Sequence, residues 1–428
     1  MDALELPPHP NLAQYRKQAK DLLRAARQGD PDALRRIRHC PRLSVEPGGT
    51  ARAAVLADAQ HVVAREHAFA SWPTFAAHVE ALAHQNAPVA RFEAAADAVI
   101  AGDLAALDQV LREDPALARA RSTRTHRAML LHYVAANGVE DYRQRTPTNA
   151  VAVARALLAA GAIVDASAET YGGGPWQTPL NLLVSSVHPA RAGVQAALVD
   201  ALVDHGAAVD GVADDGTPLL TALAFHHPAA AAALARRGAR VETLPAAAGL
   251  GDEARVRALL ALDVGRERAT GPTRPRRTAR PMPRWLRLPR DAGAERARAL
   301  GWAAAFGHRR VVELLADAGV PLDAADADGM TALHWAAWLG HGDVIDALLA
   351  RRAPLEARNR YGGTVLGSTV WAALHGGRAL DNPRPDALPT VDYPPVIERL
   401  LAAGARPDEA PFPSGHARVD AVLARYRS

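Results

Sequence analysis

Glu66 and His67 adjoin on a helical stretch, and both are residue types that bind zinc. A helical zinc site needs a second ligand one turn away, as in H-E-x-x-H, and none stands at that spacing. The pair is expected to be solvated. Gly172, Gly173 and Gly174 could cradle a phosphate if a helix start and a Lys followed, but Pro175 follows, and no G-x-x-x-x-G-K-[ST] occurs. The triplet reads as a finger tip. Ser414-Gly415-His416 lies in a loop, and no G-x-S-x-G elbow presents a nucleophile. Cys40 is the only cysteine, which excludes an intramolecular disulfide and a Cys-based zinc site. The thiol is expected to be buried filler. The expectation is a chain with no catalytic residue, no cofactor, no metal and no enzymatic activity.

One charge run stands out. Residues 264–291 carry nine arginines against Glu267 and Asp291, and five prolines forbid a continuous helix. A protruding loop is expected. Arg274, Arg276, Arg277, Arg280 and Arg284, with Trp285 nearby, could contact phosphates and stack on bases. That is the alternative function: nucleic-acid or anionic-surface binding.

The elements that must position any site are legible in residues 328–358. Asp328-Gly329 signals a tight turn, Thr331 caps a helix, and Leu333, Ala336 and Ala337 give that helix a small-residue face. Gly340 ends it as a left-handed cap. Val344, Leu348 and Leu349 mark a second helix. Shifted by 33 residues, the pattern recurs as Leu300, Ala303, Ala304, Gly307 and His308 on one side, and as Gly362, Thr364 and Leu366 on the other.

A turn-helix-helix unit of this period resembles the ankyrin repeat, G-x-T-P-L-H-x-A-A-x-x-G-H, departing at Ala332 where Pro is usual. The resemblance covers roughly residues 92–407, in about eight units. It implies an all-α ankyrin solenoid with short β-hairpin fingers. It also implies a protein-binding scaffold that uses the concave face and finger tips. His132, His308, His334 and His341 match consensus positions where the imidazole ties a helix to a finger. The resemblance also implies that the two residues after the Ala-Ala position face the concave side: Ala305 and Phe306, Trp338 and Leu339, and in an earlier unit Ala224 and Phe225. Large apolar side chains there are expected to be exposed and to mark a binding patch. The competing reading is that helix curvature or the Arg-rich insertion buries them. Asp328, Met330, Arg360 and Tyr361 are expected to line the same groove. Trp335, matching Trp302, is expected to be at least partly buried, and Trp338 to be dispensable for stability.

Residues 1–88 do not follow the repeat and are expected to form a separate helical module, with 91–428 as the solenoid. Asn11–Gln28 reads as an amphipathic helix burying Leu12, Tyr15, Ala19, Leu22, Leu23 and Ala26. Ser71 and Pro73 mark a helix start. The stretch resembles a module found ahead of many bacterial ankyrin repeats. Repeat register is expected to be lost after Leu366, in an enlarged last unit.

Composition sets bounds. Half the residues are apolar and aromatics are few, which excludes disorder throughout and suits helices packed through small side chains. All basic residues are Arg except Lys17 and Lys20, a bias that suggests a GC-rich bacterial genome. A net charge of +4 is small for 428 residues and does not itself point to nucleic acid. The first ten residues lack the basic and apolar regions of a signal peptide, and no run of about 18 apolar residues occurs. A cytoplasmic monomer with an unidentified protein partner is expected.

Overall fold

The computed structural model describes residues 3–38, 54–84, 86–171, 177–268, 291–375 and 391–427. These residues form α-helices and short 3-10 turns, and among them β-structure is confined to two single bridges, Ala168 to Gln177 and Ala325 to Thr331. Among the described residues two of the fingers thus carry a single bridge, where hairpin strands were expected. Two compact units, Met1–Ala207 and Ala208–Ser428, make up the chain.

The first unit opens with α1 (Leu12–Arg27), α2 (Pro31–Arg38), α3 (Leu56–Glu66) and α4 (Trp72–Leu82). The six residues expected on the apolar face of α1 are the ones it buries. Asn11 and Ser71 cap α1 and α4 by accepting from Ala13 N and Thr74 N. Tyr15, Phe69 and Phe75 close a core shared by these helices. His67 is not solvated as expected. It is 5 % exposed, stacks on Phe75 at 5.2 Å, and its Nδ1 hydrogen-bonds with Leu4 O at 2.8 Å. Its neighbour Glu66 instead takes a bidentate ion pair with Arg36.

Then come α5 (Pro88–Ala101) with α6 (Leu104–Glu113), α7 (Leu130–Val134) with α8 (Ala150–Ala159), and α9 (Pro179–Val184), α10 (Val187–Arg191) and α11 (Gln195–Asp204). In the second unit, α12 (Thr217–Ala224) pairs with α13 (Pro228–Arg236), and α14 (Leu244–Gly249) with α15 (Glu253–Arg268). Next are α16 (Ala292–Ala305) with α17 (Arg309–Asp317), α18 (Ala332–Leu339) with α19 (Gly342–Ala350), and α20 (Val365–His375) with α21 (Tyr393–Ala402). The last is α22 (Ala417–Ala424).

Each pair is made by local rules. Thr331 caps α18 and accepts from His334 N, while Gly340 closes it at φ 76°. Leu333, Val344, Ile345 and Leu348 are fully buried between neighbouring pairs, in a core running from Leu244 to Leu423. Close approach is set by small residues. A Cβ on Gly307 would stand 2.8 Å from the His341 ring, and one on Gly251 2.7 Å from the His308 ring. Those imidazoles reach back one unit to Ala305 O and Gly249 O, at 2.9 and 3.0 Å.

Register does not end at Leu366. Helix α20 continues to His375 and places Trp371 33 residues after Trp338, in the equivalent position. The first residues of the Arg-rich segment, 264–268, continue helix α15 and are not loop as expected. Residues 269–290 of that segment, Cys40, the glycine triplet and most of the expected enlargement of the last unit lie outside the described residues.

Candidate functional site

In the second unit the first helices of successive pairs carry a row of rings. Short α14 sets its geometry. Its last residue, Gly249, stands where α18 has Trp338, and a Cβ there would meet Trp302 at 3.4 Å and Leu223 at 2.9 Å. His226 stands at the left-handed position (φ 55°) that Gly occupies in other units. Its ring lies 5.7 Å from Phe306 and 5.0 Å from Trp335. Burial, helped by the charge of His341, depresses the His226 pKa to about 4. The Trp335 ring is fixed because its Nε1 donates to Asp326 Oδ2 at 2.9 Å. Asp326 Oδ1 in turn accepts from Asp328 N and Met330 N, so one carboxylate organises both finger and ring. Burial raises the Asp326 pKa, and these hydrogen bonds hold the rise back.

Of the residues expected in the groove, some come together and some are covered. Asp328, Arg360 and Tyr361 form one finger-tip cluster. Arg360 pairs with Asp328 at 2.8 Å, donates to Tyr361 Oη at 2.7 Å and lies 4.9 Å above its ring. Phe225 and Phe306 are half-buried on the row. Trp338, Leu339 and Met330 are not exposed, against expectation: they retain 4 %, 6 % and 1 % of their surface. The cause is the next unit. Trp371 stacks on Trp338 at 5.7 Å, Tyr393 Oη donates to Trp338 O at 3.0 Å, and Ala372 fills the space beside Leu339. Met330 packs in the same cluster, with Asn359 Nδ2 3.7 Å from its Sδ. The ring row therefore runs over His226, Phe306, Trp335 and Trp371, all half-buried, ending in exposed His375, which stacks on Trp371 at 4.1 Å. Arg274, Arg276, Arg277, Arg280 and Arg284 lie outside the described residues.

A charged cluster in the first unit was not foreseen. Arg124, Glu93, Glu140 and Arg143 are at most 7 % exposed. Arg124 pairs with Glu140 and, at 3.2 Å, with Glu93, and donates to His67 O at 3.1 Å. Arg143 pairs with Glu93 at 2.6 Å and with Asp97 at 2.7 Å. His126 Nδ1 accepts from Ala128 N, which leaves its Nε2–H facing Glu140 at 3.6 Å. Burial works to raise both glutamates, but the nearby His126 ring for Glu140, and the guanidinium groups for both, carry them below the ordinary carboxylate value. Two cations and two buried anions compensate one another here. The arrangement ties the end of α3 and helix α5 to the connections before and after α7.

The histidines act within the framework. His132 Nδ1 accepts from Met129 N and its Nε2 donates to Ala166 O at 3.0 Å. His334 repeats this geometry, with Thr331 N and Gly363 O as partners. Among the described residues no group of three or more His, Cys, Asp or Glu could hold a metal. A cleft of about 430 Å³ is lined by Arg240, Glu242, Leu244, Arg255 and Glu295, and Arg240 there is already paired with Asp210 and Asp214. No helix among the described residues is long and apolar enough to cross a membrane.

With this geometry in hand, the family model described as ankyrin repeats (3 copies) matches residues 283–359. The fold is an ankyrin-repeat fold. The matched residues hold α16 to α19, the part of the ankyrin stack that carries Phe306, Trp335 and Trp338. No curated protein matches the chain. Among solved structures, the crystal structure of the human ASB11 ankyrin repeat domain is similar at 19% identity. That match covers 73% of this chain and 98% of that one, with a TM-score of 0.36. Ankyrin repeats are generally protein-interaction scaffolds.

Proposed function

We propose that this chain is a non-catalytic scaffold that binds another protein through the first-helix face and finger tips of its second unit. In the ankyrin arrangement these line the concave side. The supporting observation is the row of half-buried rings, His226, Phe306, Trp335 and Trp371, flanked by exposed Tyr361. Contiguous aromatic surface of this kind is costly in water and typical of interface anchors. Rigidity adds to it, because the Trp335 ring and the finger are already held by Asp326 and binding need not order them. We further propose residues 1–88 as a helical module and 91–428 as the repeat solenoid, in a cytoplasmic protein.

Affinity capture with the full chain tests the reading, comparing wild type with Phe306→Ala and Tyr361→Ala together. One saturable protein partner, weakened about tenfold or more by the pair at unchanged melting temperature, is the expected result. A partner captured equally by both proteins places the interface elsewhere.

A further inference from the structure

The ring row has a cationic member. Arg298 precedes Trp302 by one turn of α16, and its guanidinium carbon lies 6.0 Å from the Trp302 ring centroid. The side chain is half-buried, and among the described residues no carboxylate stands within ion-pair distance of it. Other partly buried arginines of this unit do have one: Arg240 pairs with Asp210 at 3.0 Å and Arg351 with Asp317 at 3.1 Å. Asp326 acts on Arg298 only at longer range, and both its oxygens already accept hydrogen bonds, from Trp335 Nε1, Asp328 N and Met330 N.

The surroundings are flat and apolar. Trp302 lies over Gly249, Trp335 lies against Gly301 (3.7 Å from where a Cβ would stand), and Phe306 meets His226. Among the described residues no hydrogen-bond partner serves His226 Nδ1. A half-buried guanidinium without a counter-charge is unfavourable, and a carboxylate that docks on it with two parallel hydrogen bonds recovers the loss. A positively charged ligand would instead be repelled. Beside the guanidinium, the ring faces suit an aromatic or large aliphatic side chain.

We infer that this face takes a segment of a partner protein in which an Asp or Glu adjoins an aromatic or large apolar residue. The carboxylate sits on Arg298, and the apolar side chain on the step made by Phe306, Trp335 and His226. The inference rests on the protein-binding reading above and adds the chemistry of the partner.

The test is a fluorescence-polarisation titration of the full chain with four labelled decapeptides in a Gly/Ser background, carrying a central Glu-Phe, Gln-Phe, Lys-Phe or Glu-Ala pair. Glu-Phe is expected to bind at least tenfold more tightly than each of the others. Arg298→Gln should remove the preference for Glu over Gln while leaving the preference for Phe over Ala. Phe306→Ala should do the opposite. Equal binding of Glu-Phe and Gln-Phe to wild type, or a Glu preference that survives Arg298→Gln, overturns the inference. If Phe306→Ala still weakens apolar peptides in that case, the scaffold reading stands without it. If no peptide binds wild type, the inference fails, and captured partners insensitive to Phe306→Ala would remove the scaffold reading as well. Unchanged melting temperatures for Arg298→Gln and Phe306→Ala separate these outcomes from unfolding.

Discussion

Trp338 and Trp371 occupy equivalent positions in successive repeats and stack on each other, with ring centroids 5.7 Å apart and planes 20° from parallel. The pair turns a position that ankyrin units leave variable into part of the core. Removing Trp338 should cost about 3–5 kcal/mol, as large aromatic truncations in cores do. Trp335→Ala, at a half-buried position, should cost less than Trp338→Ala. Urea unfolding of both variants checks the order, and a Trp338→Ala loss below about 0.5 kcal/mol, typical of surface changes, would contradict the stacking role.

Leu348 is fully buried between neighbouring pairs. Leu348→Ala should lower stability by about 2–5 kcal/mol. A near-neutral result by thermal or chemical denaturation would mean that α19 does not pack as described.

The close approach of Gly307 to His341 can be measured against a glycine with room. Both Gly307 and Gly319 have positive φ, but a Cβ on Gly319 meets nothing within 4 Å. Gly319→Ala should cost only the left-handed strain, about 1–2 kcal/mol. Gly307→Ala should cost that and more, because the His341 ring must move off Ala305 O. Equal melting temperatures for the two variants would argue against the contact.

Acid should weaken the fold below neutrality. Burial, the largest cause in each case, depresses His78, His132 and His334 to about 4, against an ordinary 6.5. Between these values the unfolded chain binds the proton and the folded chain does not, so stability falls as pH drops from about 6.5 to about 4. Each imidazole contributes up to about 1.4 kcal/mol per pH unit in that window. Glu93 and Glu140 are depressed in the fold, so their contribution is present above the ordinary 4.5 and is lost at lower pH. Denaturant midpoints at pH 7 and pH 5 test this, and a flat profile would contradict it.

The buried ion cluster gives a sharper contrast. Glu140→Ala leaves Arg124 without its main partner and should cost about 3–5 kcal/mol. Replacing both, Arg124→Met with Glu140→Leu, should cost clearly less than Glu140→Ala alone. Denaturant unfolding of the single and double variants measures the difference. A double variant as unstable as the sum of its parts would show that the pair is not the unit.

How much of this was legible in the sequence varied with the range of the interaction. Local signals read well: the Thr331 cap, the Gly340 stop and the buried face of α1 depend on neighbours three or four residues away. Trp338 was misjudged because its burial depends on Trp371 and Tyr393. Carrying the 33-residue register past Leu366 would have placed Trp371 beside it. The ion cluster was missed because Glu93, Arg124, Glu140 and Arg143 are scattered through helices and connections, where single charges ordinarily face water. The one hint was the unusually long connection after α7, which carries two of the four.

The same cluster constrains how this sequence can drift. A first substitution at Arg124 or Glu140 strands a buried charge, whereas the coordinated exchange of both for apolar residues does not. Single steps away from the cluster therefore lead downhill before they lead anywhere else. Relatives of this chain are expected to carry the Arg124–Glu140 pair whole or to lack both members together, and a set of sequences in which each is lost independently would show that the valley between the two solutions is shallow.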